Sequence, residues 1–370
     1  MPEMTSLYIH IPFCQKKCLY CSFVVTIGQE QRIDTYLDAL AREARPFQGT
    51  PVKTIYIGGG TPTFLNIPQL KKLIGIVRSH FEFSVETEFT VEANPEGLDL
   101  VKAKLLYASG INRVSLGVQS LNDKYLRYLG RCHDRRTASQ AYVNLRAAGF
   151  KNINLDLMYS FPGQTKEEIR EDVEGIVRLD SDHLSLYTLT VEKKSRFFVQ
   201  QVQEQKDDEQ ARQYILVAQL LKEAGFRQYE VSNFAKPGKE SRHNLNYWTG
   251  GNYIGLGIGA HSHAEGRRSW NVSKLTDYMT KAHQETKTLE GEEKLNASQR
   301  FLETLLLGLR MNQGVDVAAL EERFPDALKE EKSLLLNEFV KNGFFIRQGT
   351  QLKASEKGRL VLDELASRLI

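Results

Sequence analysis

Three cysteines fall within one short run, "CQKKCLYC", where Cys14, Cys18 and Cys21 give a C-x3-C-x2-C spacing. Three thiolates on one loop can each bind an iron of a four-iron cluster, [4Fe-4S], which takes four cysteines when every position is closed. With three, one iron keeps an open coordination position, and an open position separates a reactive metal centre from a structural one. The competing use is a zinc site completed by His10, or by Cys132 with His133. Structural zinc loops carry a second ligand pair farther along, and no such pair follows here, so the spacing favours iron and sulfur. Cys132 stands outside the loop and is given no role. Four cysteines, three of them clustered, do not form a disulfide framework for a chain of 370 residues.

A second grouping is "SRHNLNYWTG", residues 241–250, with His243, Asn244, Tyr247 and Trp248 close together ahead of a glycine. Its simpler use is a turn packed by Tyr and Trp, in which His and Asn satisfy backbone groups. The other use is a surface that holds something. His261 and His263 in "GAHSH" form a further pair of candidate ligands.

These residues need a frame, and the hydrophobic pattern supplies one. "SLYIHIP", "VKTIYIGGG", "ETEFTVEANP", "INRVSLGVQ", "KNINLDLMYSFP" and "DHLSLYTLTV" read as strands, with amphipathic helical runs between most of them. Three helices close on the glycine of "YASG", "RAAG" and "KEAG", the usual left-handed stop. Six strands with short connections predict a parallel sheet in an α/β fold, closed, partly closed or open, and its site lies at the carboxyl ends of the strands. The predicted divisions are residues 1–190 for a (β/α)6-type partial barrel, 191–293 for a barrel extension and 294–370 for a smaller domain. That last segment reads as helices followed by a hairpin, a winged-helix-like pattern.

Its helices carry Glu303, Glu321, Glu322, Glu330 and Glu331, whereas a nucleic-acid reader needs a cationic face. The whole chain is also close to balanced, at +3, so neither nucleic acid nor an anionic membrane is an expected partner. No run is apolar enough to span a bilayer, and "MPEMTSLYIHIPF" has no leader pattern, which predicts a cytoplasmic protein.

"CQKKCLYC" after a first strand and "GGGTP" after a second together resemble the radical S-adenosylmethionine superfamily. "YIHIPFC", "IYIGGGTPT", "VEANPE", "SLGVQS", "LDLMYSFPGQT" and "GLGIGAH" narrow the resemblance to the oxygen-independent coproporphyrinogen III oxidase group, over nearly the whole chain. The resemblance implies that Cys14, Cys18 and Cys21 hold the cluster and that S-adenosylmethionine chelates the open iron. It assigns Gly59, Gly60, Thr61, Glu92, Gln119, Arg131 and Asp156 to that cofactor's site, and it places aromatic residues at Tyr8 and Tyr20 near the cluster or the adenine.

Two departures separate this chain from the oxidases. They carry a fourth cysteine two residues beyond the third, where Phe23 stands here, and a longer amino-terminal extension. A related haem-chaperone branch lacks both and carries an H-N-x-x-Y-W motif, which "HNLNYW" matches at every specified position. That branch implies a haem carrier, with His243 the candidate axial ligand, His261 or His263 the alternatives, and Asn244, Tyr247 and Trp248 around the macrocycle. Its expected partners are haem and recipient haemoproteins; a homodimer is left open. The competing function is oxidative decarboxylation of coproporphyrinogen III.

Overall fold

The computed structural model describes residues 5–370, so the first four residues of the amino-terminal stretch lie outside it. Its core is six parallel strands: β1 (Thr5–Ile11), β2 (Thr50–Gly59), β4 (Glu88–Ala93), β5 (Arg113–Gln119), β6 (Ile153–Tyr159) and β7 (His183–Thr188). They lie side by side in chain order, with a two-residue strand, β3 (Phe81–Glu82), beside the start of β2. Helices α1 (Ile33–Ala44), α2 (Ile67–His80), α3 (Leu100–Ala108), α4 (Asp123–Leu129), α5 (Arg135–Ala148) and α6 (Lys166–Arg178) connect them.

Each strand alternates. Leu7, Ile9, Ile55, Ile57, Val91, Leu116, Leu155 and Leu184 join one apolar core with residues of the helices. The intervening positions, among them Tyr56, Glu92, Ser115, Asp156 and Ser185, line a cavity on the other face. Period-two alternation is what a strand does, so a polar residue between apolar neighbours in these runs marks the inner wall.

The segment after β7 extends the sheet at both edges. Helices α7 (Arg196–Val199) and α8 (Asp207–Glu223) lead to β8 (Arg227–Gln228) and β9 (Asn233–Ala235), and β9 pairs antiparallel with β7. After the short helix α9 (Arg242–Trp248), the chain crosses to the opposite edge, where β10 (Tyr253–Leu256) pairs in parallel with β1. Strands β11 (His261–Ala264), β12 (Arg267–Asn271) and β13 (Leu289–Lys294) continue outward as an antiparallel ribbon, with α10 (Leu275–His283) in the β12–β13 connection. The run "RQYEVSNF" forms the β8–β9 hairpin, where Glu230 is buried and accepts from Ser232 N and Asn233 Nδ2.

The last segment has its own apolar core, built on Phe301, Leu305, Leu336, Phe339, Phe345 and Leu352. Helices α11 (Ala297–Leu309), α12 (Val317–Arg323) and α13 (Glu330–Lys341) precede the hairpin β15 (Phe345–Gln348) and β16 (Gln351–Ala354). A short strand, β14 (Val315–Asp316), joins β16, and α14 (Glu356–Leu360) and α15 (Leu362–Leu369) close the chain. Among the described residues no helix is long and apolar enough to cross a membrane.

Candidate functional site: two cavities divided by one helix

The three-cysteine loop follows β1 and is pinned at its neck, where Cys14 N donates to Thr26 O and Thr26 N to Pro12 O. Farther round, Leu19 N donates to Leu129 O and Phe197 N to Leu19 O, which ties the loop to the ends of α4 and α7. Cys14 is buried and Cys18 and Cys21 are half-buried. Burial pushes the Cys14 thiol up to about 11, against the hydrogen bond from Thr61, and it raises Cys21 as well. Buried thiols that resist ionisation become ligands by exchanging their protons for metal.

A polar chain runs from this loop into the barrel. Cys14 Sγ lies 3.3 Å from Thr61 Oγ1, Asn94 Nδ2 donates to Thr61 Oγ1 at 2.9 Å, and Arg131 Nη2 donates to Asn94 Oδ1 at 2.8 Å. Arg131 also donates to Gly117 O at 2.7 Å and points Nη1 at Cys18 Sγ, 3.5 Å away. It makes no ion pair with Glu92 or Asp156 among the described residues, and its Nε is buried without a partner. Burial opposes its charge, but Tyr20, Cys18 and Glu96 hold the guanidinium more firmly protonated than usual.

Glu92 accepts from Tyr56 Oη at 2.8 Å and from Gly59 N at 3.0 Å. Burial lifts its carboxyl to about 7, with the Tyr56 hydrogen bond working the other way. The glycine run lets these groups close in. A Cβ on Gly58 would stand 2.8 Å from Glu92 Cδ, and one on Gly60 would meet Pro12 O at 2.7 Å and Cys14 Sγ at 2.9 Å. Close approach was expected to serve a ligand; here it also serves the protein's own carboxylate and thiol. Asp156 accepts from Asn154 Nδ2 at 2.7 Å, and burial raises its carboxyl.

Cys14, Cys18, Cys21, Tyr20, Gly59, Gly60, Thr61, Glu92, Gln119, Arg131 and Asp156 thus line one cavity of about 450 Å³, and Asn244 joins them. Tyr8 does not. It points into a second cavity and bonds His10 Nδ1 at 2.9 Å, with its ring stacked on Tyr56, the neighbouring residue that reaches the first cavity.

The second cavity, of about 540 Å³, lies between the β10–β11 edge, the cysteine loop and the last segment. Phe23, Tyr247, Trp248, Tyr253 and Phe324 supply flat rings, and His10, His261 and His263 supply imidazoles. Ser22 and Phe23 line both cavities. Phe23, at the place of the oxidase's fourth cysteine, is 66% exposed.

Between the cavities stands α9, so "HNLNYW" is a helix rather than the expected turn. Ser241 caps it, accepting from Asn244 N, and the Glu88 carboxylate accepts from Arg242 N and His243 N, both at 2.9 Å. An anion at a helix amino terminus is favourable. Asn244 faces the first cavity while Tyr247 and Trp248 face the second. His243 faces neither. It is 1% exposed, its Nδ1 lies 2.8 Å from Thr54 Oγ1, and its Nε2 lies 2.8 Å from Tyr247 Oη. Burial, and then the charge of Arg113, lower its pKa to about 3. With both ring nitrogens engaged, this imidazole has no lone pair free for a metal, which departs from its expected place as axial ligand.

Tyr56, Glu88, Asn94 and Arg113 are functional neighbours that motif reading passed over. Tyr56 and Asn94 sat in plain view inside "IYIGGG" and "VEANPE", on the inner-wall positions that strand alternation assigns.

A partial barrel with a three-cysteine loop at the mouth, a glycine-run strand end and a buried carboxylate beside it defines a radical S-adenosylmethionine protein. The chain matches the Radical SAM superfamily over residues 8–176 and the HemN C-terminal domain over residues 295–361. Coproporphyrinogen III oxidase (HemN) from Escherichia coli, a radical SAM enzyme of known structure, superposes with a TM-score of 0.88 at 25% identity, over 100% of this chain and 91% of that one. Heme chaperone HemW of Lactococcus lactis is 36% identical over 97% of this chain and 95% of its own length, and that of Bacillus subtilis 35% over 98% of both. The Escherichia coli HemW is 32% identical over 97% of this chain and 96% of its own. The chain belongs to the HemW family.

Proposed function

We propose that this protein is a haem chaperone. It binds haem in the second cavity, carries a [4Fe-4S] cluster with S-adenosylmethionine in the first, and passes haem to recipient haemoproteins in the cytoplasm. The observation that carries the reading is the second cavity itself: flat rings and three imidazoles around a space in the range of ligand pockets. The relatives' name agrees with it.

In the first cavity, Cys14, Cys18 and Cys21 would hold the cluster. Among the described residues no three side chains converge on a single metal ion, and a cluster does not ask them to, since each thiolate serves its own iron. When bound, a cluster with one open iron supplies a redox centre that can chelate the amino and carboxylate groups of S-adenosylmethionine. Glu92 would accept from the cofactor's ammonium group, Asp156 and Gln119 from its hydroxyls, and the unpaired Nε of Arg131 would find a partner.

The test is anaerobic. Reconstituted protein is titrated with haem, and separately incubated with coproporphyrinogen III, S-adenosylmethionine and a reductant. Saturable haem binding without protoporphyrinogen formation is expected; catalytic turnover of coproporphyrinogen III would replace this reading with the oxidase.

A further inference from the structure

Granting that haem occupies the second cavity, we infer that His263 binds its iron and that Arg300 and Arg323, from the carboxyl-terminal segment, receive its two propionates. His261 and His263 alternate with Ser262 on β11, so period two puts both imidazoles on one face of the strand. They therefore cannot approach a flat macrocycle from opposite sides, and because His10, the third imidazole of the lining, has both ring nitrogens engaged by Tyr8 Oη and Val24 O, one of the two is the ligand. His263 is the oriented one. Its Nδ1 faces Gly251 O at 3.4 Å, a long contact whose acceptor favours the tautomer that carries the proton on Nδ1. An imidazole whose Nδ1–H meets a backbone carbonyl presents the lone pair of Nε2, the usual arrangement in metal sites. His261 is exposed, its ring makes no hydrogen bond among the described residues, and it stacks instead on Trp270 with ring centres 6.1 Å apart.

The motif helix builds this carbonyl into place. Gly251 N donates to Asn246 O at 2.8 Å, and a Cβ on Gly251 would lie 2.0 Å from Asn246 Oδ1. "HNLNYW" thus serves an iron ligand it does not itself contain.

The charges in the cavity match a dicarboxylate. Arg300 and Arg323 each lie 5.0 Å from the centre of the Phe324 ring, and neither has a carboxylate partner among the described residues. Glu303, the one acidic residue of the lining, is taken by Arg268. Two guanidiniums over one ring, both able to take a carboxylate through paired N–H donors, leave the cavity short of two negative charges.

Haem titrations followed by absorption and electron paramagnetic resonance test both halves in the full-length protein. His263→Ala is expected to weaken haem binding by about tenfold or more and to change the axial signature, with added imidazole restoring it; His261→Ala keeps the signature. The pair Arg300→Gln with Arg323→Gln should weaken binding of haem but not of haem dimethyl ester, which lacks the charges. An unchanged spectrum and affinity in His263→Ala would overturn the ligand, and equal losses for haem and its ester would overturn the propionate contacts. Wild-type protein that binds no haem would instead overturn the chaperone reading on which both rest.

Discussion

Glu92 and His243 are both buried titratable groups, and burial drives them in opposite directions on the pH scale. Glu92, lifted to about 7, keeps its proton in the folded protein when the unfolded chain has already lost it. Its share of stability is present below pH ~4.5 and is lost as pH rises through 7. A bound ammonium group would reverse the preference, so S-adenosylmethionine binding should strengthen as pH climbs from 6 to 8 and release a proton at the acidic end. Calorimetry in buffers of different ionisation enthalpy reads that proton directly. His243, lowered to about 3, is neutral when folded and charged when unfolded below pH ~6.5, so its contribution is present above 6.5 and falls away as pH drops toward 3. The acid limb of a urea-melt profile should be shallower in His243→Asn than in the wild type. Cys18→Ala should lose iron and sulfide together, and Gly60→Ala should lower cluster loading because its Cβ meets the Pro12 carbonyl as well as Cys14 Sγ.

At the scale of elements, α9 depends on a residue far away in sequence. Glu88 receives its first amide protons, and hydrogen bonds to a charged group contribute about 1.5–3 kcal/mol. Glu88→Gln is therefore expected to cost about 1–2 kcal/mol in urea denaturation. This helix also shows where reading from sequence stops. Ser241 before it and Gly250 after it are the ordinary start and stop signs, yet the aromatic pair between them drew attention to a turn. The six parallel strands were legible, because apolar runs of strand length bounded by glycine and helix recur in order. The path of the chain after β7 was not. Nothing local in "YIGL" says that β10 will cross the molecule to lie beside β1, since pairing between distant strands is decided by the sheet edge left open. Site residues followed the same division. Those on inner-wall positions of regular strands line the first cavity together, while Tyr8 and His243 lie apart from them, because which side of a wall a side chain takes depends on packing from elsewhere.

For the whole molecule, the carboxyl-terminal segment is a wall of the second cavity instead of an appendage. Arg268 on β12 joins Glu293 on β13 and Glu303 on α11, so the barrel's outer ribbon and that segment are held by one guanidinium. Phe23 belongs to both cavities yet is mostly exposed. Phe23→Ala should therefore leave thermal stability nearly unchanged, within about 0.5 kcal/mol, and leave cluster content intact while weakening haem binding. A fall in stability of several times that size would mean that the ring is structural. Winged-helix topology in this segment was readable from its periodicity, but its role was not, because the cavity it closes is half made of residues from the barrel.

One short helix walls two rooms, and this has a thermodynamic consequence. An occupant of the first cavity that moved α9 through Asn244 would move Trp248 in the second as well, since both sit on a helix only seven residues long. Whatever factor S-adenosylmethionine then imposes on haem affinity, haem must impose on S-adenosylmethionine affinity, since coupling free energy is reciprocal. Cargo and cofactor would each report on the presence of the other.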